Sequence, residues 1–279
     1  MNFFSPADVA QNYIQIGKSK ANTPVIKAVI LAVMAGLFIG ISAIASTTVA
    51  VAVEPASLGK FLGAIIFPGG LTMVLIAGSE LFTGNCLLII PVLEKTIRLR
   101  RMIKSLVLVY IGNLIGSVLL AAAVVYSHQV ALFDNGVAVS VIETAAAKCS
   151  ITFGDALIRG ILCNFLVCIA VWISFAAKDI TGKIIGVFFP ILIFVLCGFE
   201  HSIANMYYIS AGLFAKTVPA FAQAAAGIDT SMLTVGNMLL RNLLPVTIGN
   251  IIGGAGCVGL PYWYIYLRRK NKMDILSDD

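Results

Sequence analysis

Six long apolar stretches alternate with short polar segments along the chain. They lie at about residues 28–53, 61–93, 105–127, 156–177, 184–215 and 233–267. A membrane-spanning helix needs roughly 20 predominantly apolar residues, and each stretch reaches that length. The second, fifth and sixth stretches exceed one span and contain Gly, Pro or polar residues in their interiors. The pattern predicts an all-α polytopic membrane protein with six transmembrane helices and interrupted helices 2 and 5. Irregular backbone at membrane depth requires burial in protein or a cavity beside it.

The composition fits this class and excludes several others. Hydrophobic residues make up 59% of the 279 residues and charged residues only 11%, whereas an average soluble domain has about 25% charged residues. A disordered chain, a disulfide scaffold and most soluble enzymes are therefore excluded. The six cysteines are scattered, with no C-x-x-C pair and no metal-ligand spacing. We expect no metal site and no cofactor.

The net charge of +6 reflects membrane flanks rather than a nucleic-acid surface. Basic residues cluster at the ends of the apolar stretches, and no basic helix is interleaved with aromatic residues. With six spans, one side holds 14 of the 19 lysines and arginines: Lys18, Lys20, Lys27, Lys95, Arg98, Arg100, Arg101, Lys104, Lys178, Lys183, Arg268, Arg269, Lys270 and Lys272. The positive-inside rule then predicts a multi-pass protein of the inner or plasma membrane, with both termini and a tail at 268–279 in the cytoplasm.

The N-terminal segment carries helix-start signals. Ser5 fits an N-cap, Pro6 the first helical position and Asp8 the first turn. We therefore predict a short amphipathic helix at 5–20 that lies at the membrane interface. A frayed polar tail is the alternative.

An internal repeat relates the two halves of the chain. The pattern G-x-E-x-x-x-x-N occurs at 78–85 and 198–205, and I-G-N-x-I-G occurs at 111–116 and 248–253. The first pattern lies in stretches two and five, and the second in stretches three and six. The glycine pairs of the second pattern also permit close helix packing, which is the interpretation we favour for them.

This order predicts a three-plus-three repeat within a single domain. The repeats cover about 25–127 and 155–267, and the domain covers 1–267. Because each half has an odd number of spans, the halves have opposite topology. Inverted repeats with broken helices are typical of transporters and channels, whose sites lie near the breaks at the membrane midplane.

Two carboxylates and one imidazole lie inside the apolar stretches: Glu80, Glu200 and His201. Such groups are costly in a bilayer and usually face a cavity or a partner. His201 can donate a hydrogen bond or change its charge near neutral pH, although a core histidine satisfied by an amide or backbone group is the alternative. Thr83 precedes Gly84 in the presumed break of stretch two. A half-helix beginning there would offer free N–H groups to an anion, and Thr83 could also serve simply as a cap.

Several of these motifs resemble the formate/nitrite transporter family. They are GSELFTGN at 78–85, GFEHSIANM at 198–206, NLLPVTIGN at 242–250, and RGILCN at 159–164 followed by Val171-Trp172. The resemblance runs from about Ser5 to Leu267. It implies an aquaporin-like protomer in a homopentamer, each protomer with its own pore, and small monovalent anions as cargo: formate, nitrite or hydrosulfide.

The resemblance also assigns roles to individual residues. His201 matches the central pore histidine, with Thr83 on the opposite loop. The polar residues around the histidine are Glu200, Asn164 and Asn205, and Asn250 is expected to face the pore. One hydrophobic constriction matches Phe67, Leu81 and Phe82, and the other matches Leu71 and Phe194. Lys148 matches an electropositive vestibule residue, and Lys27 its counterpart on the other side.

The cargo and the mode of transport remain open at this point. Some motifs are closer to nitrite-type members and others to formate-type members, which slightly favours hydrosulfide. A proton-coupled formate or nitrite symporter is one alternative. A neutral small-solute channel is another, although no paired Asn-Pro-Ala boxes occur. An enzyme is not expected, because there is no catalytic triad, metal-ligand set, GxGxxG or P-loop motif.

Overall fold

The computed structural model describes residues 3–268, which fold into helices joined by short loops. The helices are α1 (Pro6–Ala21), α2 (Val25–Ala50), α3 (Ala56–Gly78), α4 (Phe82–Leu93), α5 (Leu99–Tyr126), α6 (Gly136–Ser150), α7 (Phe153–Ala176), α8 (Ile180–Leu196), α9 (Ser202–Ala215), α10 (Pro219–Ala224) and α11 (Val235–Tyr266). Helices α2, α3, α5, α7 and α11 are long and apolar enough to cross a membrane, while α4 and α8 are shorter apolar helices. Apart from Arg268, the expected tail at 268–279 lies outside the described residues.

Apolar stretches two and five are each interrupted. In the first break α3 ends at Gly78 and α4 begins at Phe82; in the second α8 ends at Leu196 and α9 begins at Ser202. Gly78 and Gly198 have positive φ angles, +86° and +68°, and an added Cβ would meet no atom within 4 Å at either position. Glycine is therefore favoured here by backbone conformation rather than by lack of space.

Stretch six, by contrast, is one continuous helix. Its glycines and polar residues fall in α11, where Met238–Leu243 and Ile252–Gly259 form π-helical turns. The sequence marks irregularity in this stretch correctly, but a π-helical turn absorbs it without breaking the helix.

The glycine pairs allow two close helix crossings. A Cβ at Gly116 would lie 2.1 Å from the carbonyl oxygen of Val33, so α5 packs closely on α2. A Cβ at Gly253 would lie 2.2 Å from the carbonyl oxygen of Ile161, so α11 packs equally closely on α7. The two crossings match each other. The crossing of α2 and α5 joins the helices on either side of the first break in sequence, and that of α7 and α11 joins the helices on either side of the second.

Helix α1 packs on the rest of the protein. Ser5 and Asp8 form a capping box at its N-terminus, and hydrogen bonds from Ser5 lower the pKa of Asp8. On the opposite face the ring of Tyr13 contacts Phe175 at 5.6 Å between centroids. A Cβ at Gly17 would lie 2.8 Å from Pro91 in α4. The apolar face of α1 is thus buried against the other helices.

Candidate functional site

The two helix breaks meet at a contact between a threonine and a histidine. Thr83 lies in the first turn of α4, and its Oγ1 is 2.9 Å from Nε2 of His201, the residue that precedes α9. Both residues are buried, with exposed fractions of 0% and 3%. The fold therefore joins two residues that are 118 positions apart in sequence.

The hydrogen bonds of His201 indicate which ring nitrogen carries the proton. Nδ1 accepts a hydrogen bond from the backbone N–H of Ala204 at 3.1 Å, so His201 caps α9 with its own side chain. In a neutral ring the proton then lies on Nε2, which donates to the Thr83 hydroxyl. Because the hydroxyl oxygen accepts this bond, its own hydrogen remains available for another acceptor, such as an anion.

An apolar collar surrounds one side of this contact. The rings of Phe67 and Phe194 pack edge to face with centroids 5.6 Å apart, and Phe194 lies 5.9 Å from the ring of His201. Leu71 follows Phe67 by one turn of α3 and is also buried. An ion that reaches His201 along this side must therefore pass apolar groups, where losing its water is costly.

The structure groups the constriction residues differently from the sequence interpretation. The resemblance groups Phe67 with Leu81 and Phe82, but Phe67 packs against Phe194 instead. The reason is its position, about three helical turns before the break that carries Leu81. Phe82 packs against Tyr110 of α5, with ring centroids 4.9 Å apart.

In the first break a buried glutamate is paired with a lysine. Both carboxylate oxygens of Glu80 lie 2.9 Å from Nζ of Lys20 on α1, and Asn85 donates to the same carboxylate at 2.7 Å. Asn113 accepts the N–H of Phe82 at 3.0 Å and donates to the carbonyl of Glu80 at 2.9 Å. The carboxylate charge is thereby neutralised, and the start of α4 is fixed.

The second break repeats this arrangement with different residues. Glu200 accepts hydrogen bonds from Lys148 at 2.9 Å and from Asn205 at 2.6 Å. Asn250 accepts the N–H of Ser202 at 2.9 Å and donates to the carbonyl of Glu200 at 3.0 Å. Its second amide hydrogen is also engaged with a backbone carbonyl. The oxygen and both amide hydrogens of Asn250 are thus used in hydrogen bonds to the backbone at and beside the break.

Asn164 connects the two breaks. Its amide donates to the carbonyl of Thr83 at 3.2 Å and to the carbonyl of Asn250 at 2.6 Å. The thiol of Cys168, one turn along α7, donates to the same Thr83 carbonyl at 3.4 Å. Asn164 therefore positions Thr83 relative to α11.

Two of the residues that complete this symmetry were not identified from sequence. Asn113 corresponds to Asn250 in the I-G-N repeat, so extending the role of Asn250 to its repeat partner would have found it. Lys20 corresponds spatially to Lys148. Lys27, the expected counterpart, is exposed and lines a separate cavity instead.

A cavity of about 730 Å³, here called the vestibule, extends to His201. It is lined by residues of several helices, including Lys60, Phe67, Lys148, Phe194 and His201. Because Lys148 is paired with Glu200, its charge is largely compensated within the protein. Among residues 3–268 there is no group of three or more His, Cys, Asp or Glu side chains placed to bind a metal ion.

Comparison with known proteins agrees with this geometry. The family model described as "Formate/nitrite transporter" matches residues 7–264. The chain is 37% identical to a "Probable formate transporter" of Methanothermobacter thermautotrophicus, with 96% of this chain and 98% of the relative covered. It is 36% identical to "Formate channel FocA" of Escherichia coli strain K12, with 95% of each covered. The chain belongs to the formate/nitrite transporter family.

A solved structure supports the same assignment. The chain superposes on a "Pentameric formate channel with formate bound" with a TM-score of 0.78, 34% identity, and coverage of 88% of this chain and 98% of the other. With its apolar helices, the chain is a multi-pass membrane protein. Relatives in this family are channels and transporters, so the enzyme alternative gains no support. The hydrosulfide prediction gains no support either, because the relatives named above are described as formate transporters or formate channels.

Proposed function

We propose that this protein is a membrane channel for formate and similar small monovalent weak-acid anions, nitrite included. The observation that carries the proposal is the Thr83–His201 contact, where two helix breaks meet at the end of a cavity. The formate-bound structural relative supports the choice of cargo. Formate therefore replaces hydrosulfide as the favoured cargo.

The donor groups at the breaks compensate for the water that an anion loses. An anion beside the apolar collar would meet the hydroxyl of Thr83, whose hydrogen is free because its oxygen already accepts from His201. The first turn of α4 adds the backbone N–H groups of Thr83 and Gly84, which have no intrahelical acceptor, whereas the N–H of Phe82 already donates to Asn113. Donors that are already oriented before the anion arrives reduce the free-energy cost of removing its water.

The lysine–glutamate pairs have a supporting role in this mechanism. A bare carboxylate at either break would repel an approaching anion. Lys20 and Lys148 compensate Glu80 and Glu200 with N–O distances of 2.9 Å. Each break therefore keeps the polar side chains that hydrogen-bond its backbone, and it presents no net negative charge to the anion.

The proposal extends to the assembly and topology. We propose six spans arranged as inverted repeats at about 25–127 and 155–267, as the matched contacts at the breaks support. We also propose a homopentamer in the cell membrane with cytoplasmic termini. The pentameric relative supports the assembly, and the distribution of basic residues supports the orientation.

Flux measurements on purified protein in liposomes test the function. Formate, nitrite, hydrosulfide, chloride and glycerol are supplied in parallel, with and without a proton gradient. We expect rapid formate passage, slower chloride, and formate flux that persists after the gradient is collapsed. Flux that stops with the gradient would identify a proton-coupled symporter, and equal passage of glycerol would identify a neutral-solute channel.

A further inference from the structure

A hydrogen bond between two hydroxyl groups joins helices α5 and α11. The hydroxyl oxygens of Tyr110 on α5 and Thr247 on α11 lie 2.8 Å apart, although the two residues are 137 positions apart in sequence. Both residues are half-buried. Each hydroxyl provides the partner that the other needs, since a hydroxyl without a partner is costly to bury. The bond therefore favours one spacing of α5 and α11.

The two residues occupy equivalent positions of the repeated motif. Tyr110 directly precedes I-G-N-x-I-G at 111–116, and Thr247 directly precedes it at 248–253. In the inverted-repeat arrangement proposed above, residues at equivalent positions touch each other only close to the axis that relates the two halves. In that arrangement the bond joins the halves of the chain at their common axis.

Each partner of this bond lies one helical turn from the asparagine that fixes a break. Tyr110 precedes Asn113 by three residues on α5, and Asn113 accepts the N–H of Phe82 at 3.0 Å. Thr247 precedes Asn250 by three residues on α11, and Asn250 accepts a backbone N–H of the second break at 2.9 Å. Residues three apart are neighbours on the surface of a helix. The bond therefore connects the supports of the two breaks.

Tyr110 also supports the first break through its ring. The rings of Tyr110 and Phe82 pack edge to face, with centroids 4.9 Å apart and planes at 74°. Helix α5 thus holds Phe82 at two points, the backbone by Asn113 and the ring by Tyr110. Because Phe82 directly precedes Thr83, a displacement of Phe82 also displaces the hydroxyl that contacts His201.

We propose that the Tyr110–Thr247 bond limits the size of the anion that passes the first break. Both are positioning residues, since they act on the passage through Phe82 and Thr83. The inference rests on the proposed channel function and adds a determinant of specificity to it. Without the bond, α5 and α11 separate more readily and the ring of Phe82 gains freedom. Carboxylates larger than formate then pass more easily.

Parallel flux of formate and acetate into proteoliposomes tests this assignment. Acetate has the same charge as formate and one further carbon, so the acetate-to-formate flux ratio reports size rather than charge. Tyr110→Phe keeps the ring beside Phe82 and removes only the hydroxyl, and Thr247→Val keeps the shape of the threonine side chain. We expect the ratio to rise about threefold in each variant, the order of effect of one neutral hydrogen bond.

A double variant and two controls show whether the hydroxyls act as one unit. Tyr110→Phe combined with Thr247→Val should raise the ratio no further than either single change, because one bond is lost only once. Thr247→Ser keeps the hydroxyl and should retain the ratio of the unchanged protein. Tyr126→Phe removes a hydroxyl from an exposed position on the same helix and should also leave the ratio unchanged.

The outcomes separate this inference from the proposed function. If the single variants leave the acetate-to-formate ratio unchanged or lower it, the bond does not limit anion size, and the inference is wrong while the channel function stands. Additive increases in the double variant would also contradict it, because the two hydroxyls would then act independently. If the unchanged protein passes no formate, the channel function itself is wrong, and the inference falls with it.

Discussion

At the scale of single residues, the direction of one hydrogen bond determines the chemistry of the site. Nδ1 of His201 is occupied as an acceptor by the Ala204 N–H, so Nε2 donates to Thr83. The threonine hydroxyl is consequently oriented by the histidine and donates its own hydrogen outward. In the proposed channel, His201 acts on the anion through Thr83 and by its position beside the apolar collar.

Replacement of the Thr83 hydroxyl tests this arrangement. Thr83→Val preserves the shape of the side chain but leaves the buried Nε2–H of His201 without its acceptor. We expect formate flux to fall about tenfold, which corresponds to about 1.4 kcal/mol, within the range for a lost buried hydrogen bond. The measurement is formate flux in proteoliposomes at equal protein density.

Thr83→Ser is the matched control because it keeps the hydroxyl. It should retain most of the flux. If the valine variant conducts as well as the serine variant, the hydroxyl has no role in passage, and the hydrogen-bond account of Thr83 is incorrect.

The site residues that can be predicted from sequence are those whose chemistry contrasts with their surroundings. Glu80, Glu200 and His201 stand out because ionisable groups are rare in apolar spans. Lys20 does not stand out, since basic residues are common at membrane flanks and its partner lies 60 residues away. Its role depends on how α1 packs against the first break, and no local sequence pattern predicts that packing.

At the scale of helices, the two breaks differ in where their lysines originate. Lys148 comes from α6, whereas Lys20 comes from the N-terminal helix α1. The side chains of the first pair are only 24% and 11% exposed. Docking of α1 is thus linked energetically to a buried carboxylate at the first break.

Lys20→Gln should loosen α1. The change leaves Glu80 without its cation, and breaking a partly buried pair of this kind costs about 2–4 kcal/mol. Hydrogen exchange followed by mass spectrometry should show faster exchange in residues 6–21. Lys18→Gln removes an exposed charge from the same helix and serves as the control.

A second substitution checks that the ion pair is responsible. Glu80→Gln combined with Lys20→Gln removes both charges, and protection of α1 should recover in part. Unchanged exchange in the Lys20→Gln protein would show that apolar contacts alone hold α1, which contradicts this account.

The breaks themselves were more predictable than the continuity of α11. Gly78 and Gly198 precede charged residues in apolar surroundings, a pattern that indicates interruption, and both glycines adopt positive φ. Stretch six contains similar signals, but its irregular segments became π-helical turns. Whether a glycine-rich segment breaks or winds differently depends on packing against neighbouring helices, here the crossing of α11 on α7.

At the scale of the whole molecule, the matched breaks, the close crossings and the vestibule form one arrangement. The crossings of α5 on α2 and of α11 on α7 hold the segments that begin at Phe82 and Ser202. Those segments place Thr83 against His201, and the vestibule leads to that contact. The family and the all-helical fold follow from sequence motifs, whereas the vestibule depends on the three-dimensional packing of α2, α3, α6, α7, α8 and α9.

The most direct test of the central claim is formate flux through the His201→Phe variant beside the unchanged protein. Phenylalanine fills the position but offers neither the cap to α9 nor a donor to Thr83. The account predicts rapid and selective formate passage in the unchanged protein and a marked change in rate or selectivity in the variant. A channel that passes formate with the same rate and selectivity after this substitution would contradict the claim that the Thr83–His201 contact governs passage.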